Sequence, residues 1–168
     1  MGVVDGQPLA REGLKAFLAA APGIEVVGEA ADGEEAMRLV GAAAPELVVL
    51  GFDLARGPNG VAVCRSLKAL PEPPRVLVLT GHNHDEAMLP FLLAGADSYL
   101  HRRSDRGTIV DAVRRTASGD RVWDVGVERA AATALGRPGS SGLTARELEV
   151  LTLKHHVSSI NRKLATRA

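Results

Sequence analysis

One short stretch in the first half of the chain limits the possible folds most strongly. Leu47–Leu50 is a run of four apolar residues, and Gly51, Phe52 and Asp53 follow it directly. An apolar run of this length, rich in valine, is typical of a strand buried on both faces in the middle of a parallel sheet. Open α/β sheets keep their sites beyond the carboxyl ends of such strands. We therefore expect site residues immediately after Leu50.

The first 120 residues alternate between apolar runs and helical patterns. Three further runs, at residues 1–4, 24–27 and 76–79, and a shorter one at 98–100 predict four more strands. Apolar residues at helical spacing predict five helices, which begin at Pro8, after Asp32, after Gly60, at His84 or Asp85, and at Thr108. The alternation predicts an α/β fold with a doubly wound, five-stranded parallel sheet.

The last third of the chain has a different pattern. Residues 136–142 contain three glycines and no apolar residue, which is typical of a flexible, polar linker. Residues 144–147 (TARE) have the form of a capping box and open a helical pattern. We therefore predict a first domain at 1–120, a linker at 121–142 and a small all-α domain at 143–168.

Charge and composition narrow the class of protein. The formal net charge is zero, but residues 143–168 hold five basic residues against two acidic ones, a local balance of +3. A basic segment suits contact with a polyanion, although a solvated helix face explains the same charge. Cys64 is the only cysteine, and no apolar run approaches the length of a membrane span. We expect a cytoplasmic protein without a disulfide and without membrane contact.

Many short motifs resemble those of one bacterial family. They are, in order, residues 3–5 (VVD), 7–9 (QPL), 11–14 (REGL), 26–30 (VVGEA), 59–60 (NG), 76–80 (VLVLT), 95–100 (GADSYL), 143–151 (LTARELEVL) and 156–160 (HVSSI). This order resembles the response regulators of two-component systems in which a flavodoxin-like receiver precedes a LuxR-type helix-turn-helix, the NarL/FixJ group. The resemblance implies transcription regulation by a DNA-binding homodimer that is not an enzyme.

The same resemblance points to the receiver pocket and to what it lacks. Receivers of this family take a phosphoryl group on an aspartate after the third strand, with Mg²⁺ bound by oxygen ligands. At the matching positions this chain has Gly51 for the acceptor, Gly6 for the second acidic residue and Arg102 for the lysine, while Asp5 and Thr80 are kept. Because glycine has no side chain to phosphorylate, we expect a degenerate pocket that has no catalytic residue and no metal or other cofactor, and that acts independently of phosphorylation.

Several alternatives are open at and around this pocket. Asp53 lies two residues after Gly51 and would point to the same side if the strand continued that far, so it is a second candidate phosphoacceptor. Counting back from Gly60 places the acceptor position at Phe52 instead. Residues 82–85 (HNHD) contain metal-ligand types, but we expect a solvated loop there. A small molecule or a protein could also occupy the pocket in place of a phosphoryl group.

The end of the chain resembles a recognition helix. Residues 154–164 match the helix that enters the major groove of double-stranded DNA. By resemblance, Lys154, His155 and Ser158 face bases, while Arg162 and Lys163 contact phosphates.

The recognition helix lacks the elements that should precede it. The family has a scaffold helix and a turn before this helix, whereas here Leu153 is followed directly by Lys154. The helix-turn-helix is therefore internally incomplete, and we expect residues to be missing at this junction. A protein-interaction module with decayed DNA binding is the alternative.

Overall fold

The computed structural model describes residues 1–81 and 84–123, without the side chains of residues 84–87. The strands are β1 (Gly2–Val4), β2 (Gly28–Ala30), β3 (Leu47–Leu50), β4 (Arg75–Thr80) and β5 (Ser98–His101). The helices are α1 (Pro8–Ala19), α2 (Gly33–Ala43), α3 (Gly60–Lys68), α4 (His84–Leu93) and α5 (Arg106–Ala117). Strands and helices alternate throughout, as the sequence predicts.

The five strands form one parallel sheet in the order β2-β1-β3-β4-β5. The predicted α/β fold with a five-stranded parallel sheet is therefore confirmed. Helices α1 and α5 bury their apolar residues on one face of the sheet, with Leu18 and Val113 in the same cluster as Val49 and Leu77. The strand order changes direction beside β1, and in such sheets a site lies beyond the carboxyl ends of the strands at this switch point.

The second strand lies later in the chain than its apolar pattern predicts. The structure places β2 at Gly28–Ala30, where Gly28 pairs with Gly2, instead of at residues 24–27. Ile24 and Val26 pack against the apolar cluster without belonging to a strand. The prediction was wrong because apolar residues report side-chain burial, whereas a strand needs a continuous backbone ladder. That ladder begins where Gly2 pairs with Gly28, and before it, among the residues that the structure describes, the only backbone bonds to the first strand's side are those of Met1 with Glu25 and Val27.

The helix starts follow local capping rules. The predicted cap at Asp32 is confirmed, because its Oδ1 accepts a hydrogen bond of 3.0 Å from the Glu35 N–H. Helix α5 begins at Arg106, two residues before the predicted Thr108. The missed signal is Asp105, which accepts from the Thr108 N–H at 3.0 Å and so caps the earlier start.

Several predictions lie outside the described residues. These are the loop residues His82 and Asn83, the linker beyond residue 123, the domain at 143–168 and the junction of Leu153 with Lys154. Among residues 1–81 and 84–123, no helix is long and apolar enough to cross a membrane. The same part of the chain holds no group of three His, Cys, Asp or Glu residues that could bind a metal ion.

Candidate functional site

The carboxyl ends of four strands bring the predicted pocket residues together. Asp5 follows β1, Gly51 follows β3, Thr80 ends β4 and Arg102 follows β5. Two hydrogen bonds join these strand ends: the Gly51 N–H donates to the Val4 carbonyl, and the Arg102 N–H donates to the Thr80 carbonyl, each at 2.8 Å. The pocket therefore lies where parallel sheets of this topology place their sites.

A buried ion pair occupies this pocket. The Asp5 side chain is only 2% exposed, and its Oδ2 accepts a hydrogen bond from Arg102 Nη2. Its Oδ1 accepts from the Gln7 N–H at 2.8 Å, while Arg102 Nη1 donates to Gln7 Oε1 at 3.3 Å. The planar guanidinium thus donates to Asp5 from one nitrogen and to Gln7 from the other. The Asp5 side chain therefore binds the backbone of the loop after β1 and forms an ion pair with Arg102.

Gly51 lies directly against the carboxylate of this pair. A Cβ atom added at Gly51 would lie 2.7 Å from Asp5 Oδ2 and 3.2 Å from Asp5 Cγ. Real Cβ atoms essentially never make contacts of 2.7 Å, so a side chain here requires Asp5 to move. The missing side chain at the acceptor position and the position of Asp5 therefore depend on each other.

Gly6 is covered by the backbone of the loop after β3. The Gly6 N–H donates to the Asp53 carbonyl at 3.0 Å. A Cβ atom at Gly6 would lie 2.5 Å from both the Ala55 nitrogen and the Leu54 carbonyl carbon. Because these are backbone atoms, no side-chain rotation relieves the contact. The second acidic position of the receiver pattern is therefore closed by main chain.

The structure also shows where β3 ends and which residues follow it. The strand ends at Leu50, so it does not continue to Asp53, which was the condition for Asp53 to point to the same side as Gly51. Asp53 is exposed, and its carbonyl faces Gly6. Phe52 makes an edge-to-face contact with Phe91, with ring centroids 6.0 Å apart. Gly51 is therefore the residue that directly follows β3, and Phe52 and Asp53 lie in the loop after it.

Sequence reasoning missed the role of another buried carboxylate, which lies at the opposite end of the sheet. Asp97 precedes β5 and accepts from Lys68 Nζ at 2.8 Å, Arg75 Nη1 at 3.0 Å and the Val76 N–H at 2.8 Å. Burial raises the pKa of Asp97, but the hydrogen bonds from Lys68 and from the Val76 N–H outweigh it, so the net pKa is lowered. This cluster ties α3, β4 and β5 together.

Comparison with known proteins agrees with this architecture. The response regulator receiver domain family matches residues 2–114. The transcriptional regulatory protein LiaR of Bacillus subtilis is 33% identical, with 90% of this chain and 74% of LiaR aligned. The DNA-binding transcriptional activator DevR/DosR of Mycobacterium tuberculosis is 35% identical, with 98% of this chain and 77% of that protein aligned.

Solved structures point the same way. The crystal structure of a two-component response regulator of the LuxR family from Aurantimonas sp. SI85-9A1 has a TM-score of 0.72 and 31% identity, and the match covers 81% of this chain and 96% of that one. The strand order β2-β1-β3-β4-β5 is that of flavodoxin-like sheets, which receivers share with other proteins, and the family match over residues 2–114 identifies the receiver. The chain belongs to the response regulators, in their LuxR-type (NarL/FixJ) branch, as the motifs predict.

Proposed function

We propose that this chain is a DNA-binding transcriptional regulator whose receiver works without phosphorylation. The observation that carries the proposal is the Asp5–Arg102 ion pair beside Gly51, at the place where a receiver phosphorylates an aspartate. Transcriptional control is supported by the relatives, since LiaR and DevR/DosR are both named as transcriptional regulators. We place this regulator in the cytoplasm, on double-stranded DNA and as a homodimer.

The residues of the pocket do not fit the chemistry of phosphoryl transfer. The reaction needs a nucleophile, and Gly51 has no side chain. It also needs Mg²⁺, which binds carboxylate and other oxygen ligands. Of the acidic pair expected after β1, only Asp5 is present, and its carboxylate already accepts from Arg102 and Gln7. We therefore assign no metal-dependent step to this site.

The ion pair supports a receiver that holds one charge state. The positive charge of the Arg102 guanidinium offsets the negative charge of the Asp5 carboxylate, so the pair carries no net charge. Phosphorylation adds negative charge to the pocket of a receiver. In this pocket the charge of Asp5 is already neutralised by Arg102. Its regulation then comes from the amount of protein or from a partner that binds at the strand ends.

Treatment with acetyl phosphate and Mg²⁺ is the direct test of the receiver. We expect the intact mass of the protein to stay unchanged, because the acceptor position has no side chain and the metal position is closed. A stoichiometric phosphoryl adduct that disappears in Asp53→Asn would contradict the proposal. That outcome would instead support a conventional phosphorylated regulator that uses Asp53.

Specific DNA binding is expected to depend on the predicted recognition helix. Lys154→Ala should weaken binding to a preferred site by about 1–3 kcal/mol if Lys154 reads a base. Lys163→Ala is the matched control: as a phosphate contact it should weaken binding to all sequences alike and reduce the salt slope by about 1. Gel-shift or anisotropy titrations over a salt series measure both. Unchanged binding in Lys154→Ala would remove this residue from the interface.

A second candidate function is a protein-interaction module without DNA binding. The observation that favours it is the direct junction of Leu153 and Lys154, which leaves no scaffold helix and turn before the recognition helix. Binding to DNA that falls steeply with added salt would argue against this candidate. No measurable binding to any duplex at low salt would support it.

A further inference from the structure

The Asp5 carboxylate has a single cationic partner in the part of the chain that the structure describes. Its Oδ2 accepts a hydrogen bond from Arg102 Nη2, and its Oδ1 accepts from the Gln7 N–H at 2.8 Å. Arg11 lies nearby, but its Nη1 donates to the Asp5 backbone carbonyl at 2.8 Å and its Nε lies 3.6 Å from Glu29 Oε2. The charge that neutralises this carboxylate therefore comes from Arg102.

The Arg102 side chain reaches this carboxylate across the sheet. Asp5 follows β1 and Arg102 follows β5, and β3 and β4 lie between these two strands. The two side chains meet beside Gly51, because a Cβ atom there would lie 2.7 Å from Asp5 Oδ2, the oxygen that Arg102 binds. The absence of a side chain at position 51 therefore leaves room for the ion pair.

The guanidinium is largely enclosed by the pocket and uses both of its terminal nitrogens there. The Arg102 side chain is 28% exposed, and its Nε is buried. Nη1 donates to Gln7 Oε1 at 3.3 Å, while Nη2 donates to Asp5. Mg²⁺ requires a nearly octahedral set of oxygen ligands. Here the side-chain oxygens of Asp5 and Gln7 are instead hydrogen-bonded to one planar cation.

The charges of the pocket balance without a metal ion. The receivers that this chain resembles carry three carboxylates against one lysine, and a divalent cation offsets the two negative charges that remain. Here Gly6 and Gly51 remove two of these carboxylates, and Arg102 offsets the third, that of Asp5. A divalent cation added beside this pair would leave two positive charges uncompensated in a largely buried place, which is costly.

We propose that the Arg102 guanidinium is a built-in cation that takes the place of the divalent metal ion of a receiver and keeps such ions out of the pocket. The inference rests on the proposed function and deepens it, since it names the group that holds the remaining carboxylate. The pocket is then as indifferent to Mg²⁺ as it is to phosphodonors. A metal could bind here without any phosphorylation, because Gly51 lacks a nucleophile in either case, so the two proposals can fail separately.

Removal of the built-in cation should create a site for a free one. In Arg102→Ala the Asp5 carboxylate is left without its counter-ion, and we expect the thermal midpoint of the full chain to fall by about 10 °C. Millimolar methylguanidinium, which has the shape of the lost group, should recover most of this loss, and millimolar Mg²⁺ should recover part of it. The midpoint of the wild type should respond to neither cation. Sodium chloride at equal ionic strength is the reference for both.

Two control variants show whether the recovery depends on the Asp5 carboxylate. Arg102→Ala combined with Asp5→Asn removes both charges, so it should melt above Arg102→Ala alone and respond to neither cation. Arg103→Ala removes the exposed guanidinium of the next residue and should keep the wild-type midpoint. Circular dichroism records the melts and the fold. If Arg102→Ala does not fold, Arg102→Gln, which keeps a polar side chain without the charge, takes its place in each comparison.

Three results would overturn the proposal. A wild type that Mg²⁺ stabilises as much as it stabilises Arg102→Ala would show that a metal binds in spite of the guanidinium. A variant that neither cation stabilises beyond sodium chloride would reduce the Asp5–Arg102 pair to an ordinary structural ion pair. Recovery that persists when Asp5→Asn is added would place the cation elsewhere on the protein. None of these results changes the expected outcome with acetyl phosphate, which tests the proposed function separately.

Discussion

Restoring the full set of receiver residues is expected to destabilise this protein without restoring phosphorylation. The variant carries Gly6→Asp, Gly51→Asp and Arg102→Lys. The new side chain at position 6 would have its Cβ atom 2.5 Å from backbone atoms of Leu54 and Ala55. Overpacking costs typically about 1–3 kcal/mol, and we expect a loss of about 3 kcal/mol because backbone cannot rotate away. Urea unfolding measures this loss, and intact mass after acetyl phosphate with Mg²⁺ measures phosphorylation.

A matched substitution separates this steric cost from the cost of a new charge. Gly41→Asp introduces the same side chain on the exposed surface of α2, where a Cβ atom meets nothing within 4 Å. Substitutions at such surface sites change stability by only about 0.5 kcal/mol. A triple variant that folds as stably as Gly41→Asp and gains a phosphoryl group would contradict this prediction. It would show that the backbone of Leu54 and Ala55 over position 6 does not prevent phosphorylation. The absence of receiver side chains at positions 6, 51 and 102 would then be the whole reason why the natural chain is not phosphorylated.

Asp97→Asn is expected to cause the largest loss of stability from a single conservative change. The substitution keeps the size of the side chain but removes the charge that partners Lys68 and Arg75. The Asp97 side chain is 3% exposed and that of Lys68 is 20% exposed, so the lysine is left largely buried without its counter-ion. Removing one partner of a buried pair costs about 3–5 kcal/mol, and partial exposure of Lys68 places this case near about 3 kcal/mol. Chemical denaturation at neutral pH measures it.

The pH dependence of stability gives a second readout for the same carboxylate. The pKa of Asp97 in the folded protein is lowered from its ordinary value of 3.8, so the folded state favours the ionised form. Its contribution is therefore fully present above pH 3.8 and is lost as the pH falls through the folded pKa. The wild type should lose this part of its stability in acid, and Asp97→Asn should lack that loss.

An exposed carboxylate provides the control for Asp97. The Asp111 side chain is 64% exposed and lies 3.7 Å from Arg115, one helical turn away. Such surface pairs contribute about 0.3–0.5 kcal/mol, so Asp111→Asn should be nearly silent. A similar loss in both variants would mean that net charge, and not the buried cluster at Asp97, determines the effect.

Local features of the fold were predictable from the sequence because they depend on near neighbours in the chain. The capping box of Asp32 and Glu35 involves residues three positions apart. The start of α1 at Pro8 and of α4 at His84 follows from proline geometry and apolar spacing. The central strand was equally clear, since Leu47–Leu50 is buried at all four positions. Each of these features can be predicted before any long-range contact is known.

The identity of the pocket residues also followed from the sequence, but their arrangement did not. By resemblance to receivers, the sequence predicts that Gly6, Gly51 and Arg102 stand at the positions of the usual receiver set. It does not show that Arg102 pairs with Asp5, because these residues are 97 positions apart and meet only when β1 and β5 lie in one sheet. Nor does it show that the loop backbone closes Gly6, which depends on the path of residues 51–60.

The remaining features depend on the tertiary structure for the same physical reason. The pairing of Lys68 with Asp97 spans 29 positions, and the ring of Phe52 meets that of Phe91 in α4 only in the folded chain. Periodicity reports which side of an element is apolar, and capping reports where it starts. Neither reports which distant side chain fills the space opposite. For this protein, the sequence was enough for the family and for most of the elements, because motifs and caps are local. The position of β2 and the pairing of Asp5 with Arg102 were decided by the tertiary structure, because they depend on which strands become neighbours in the sheet.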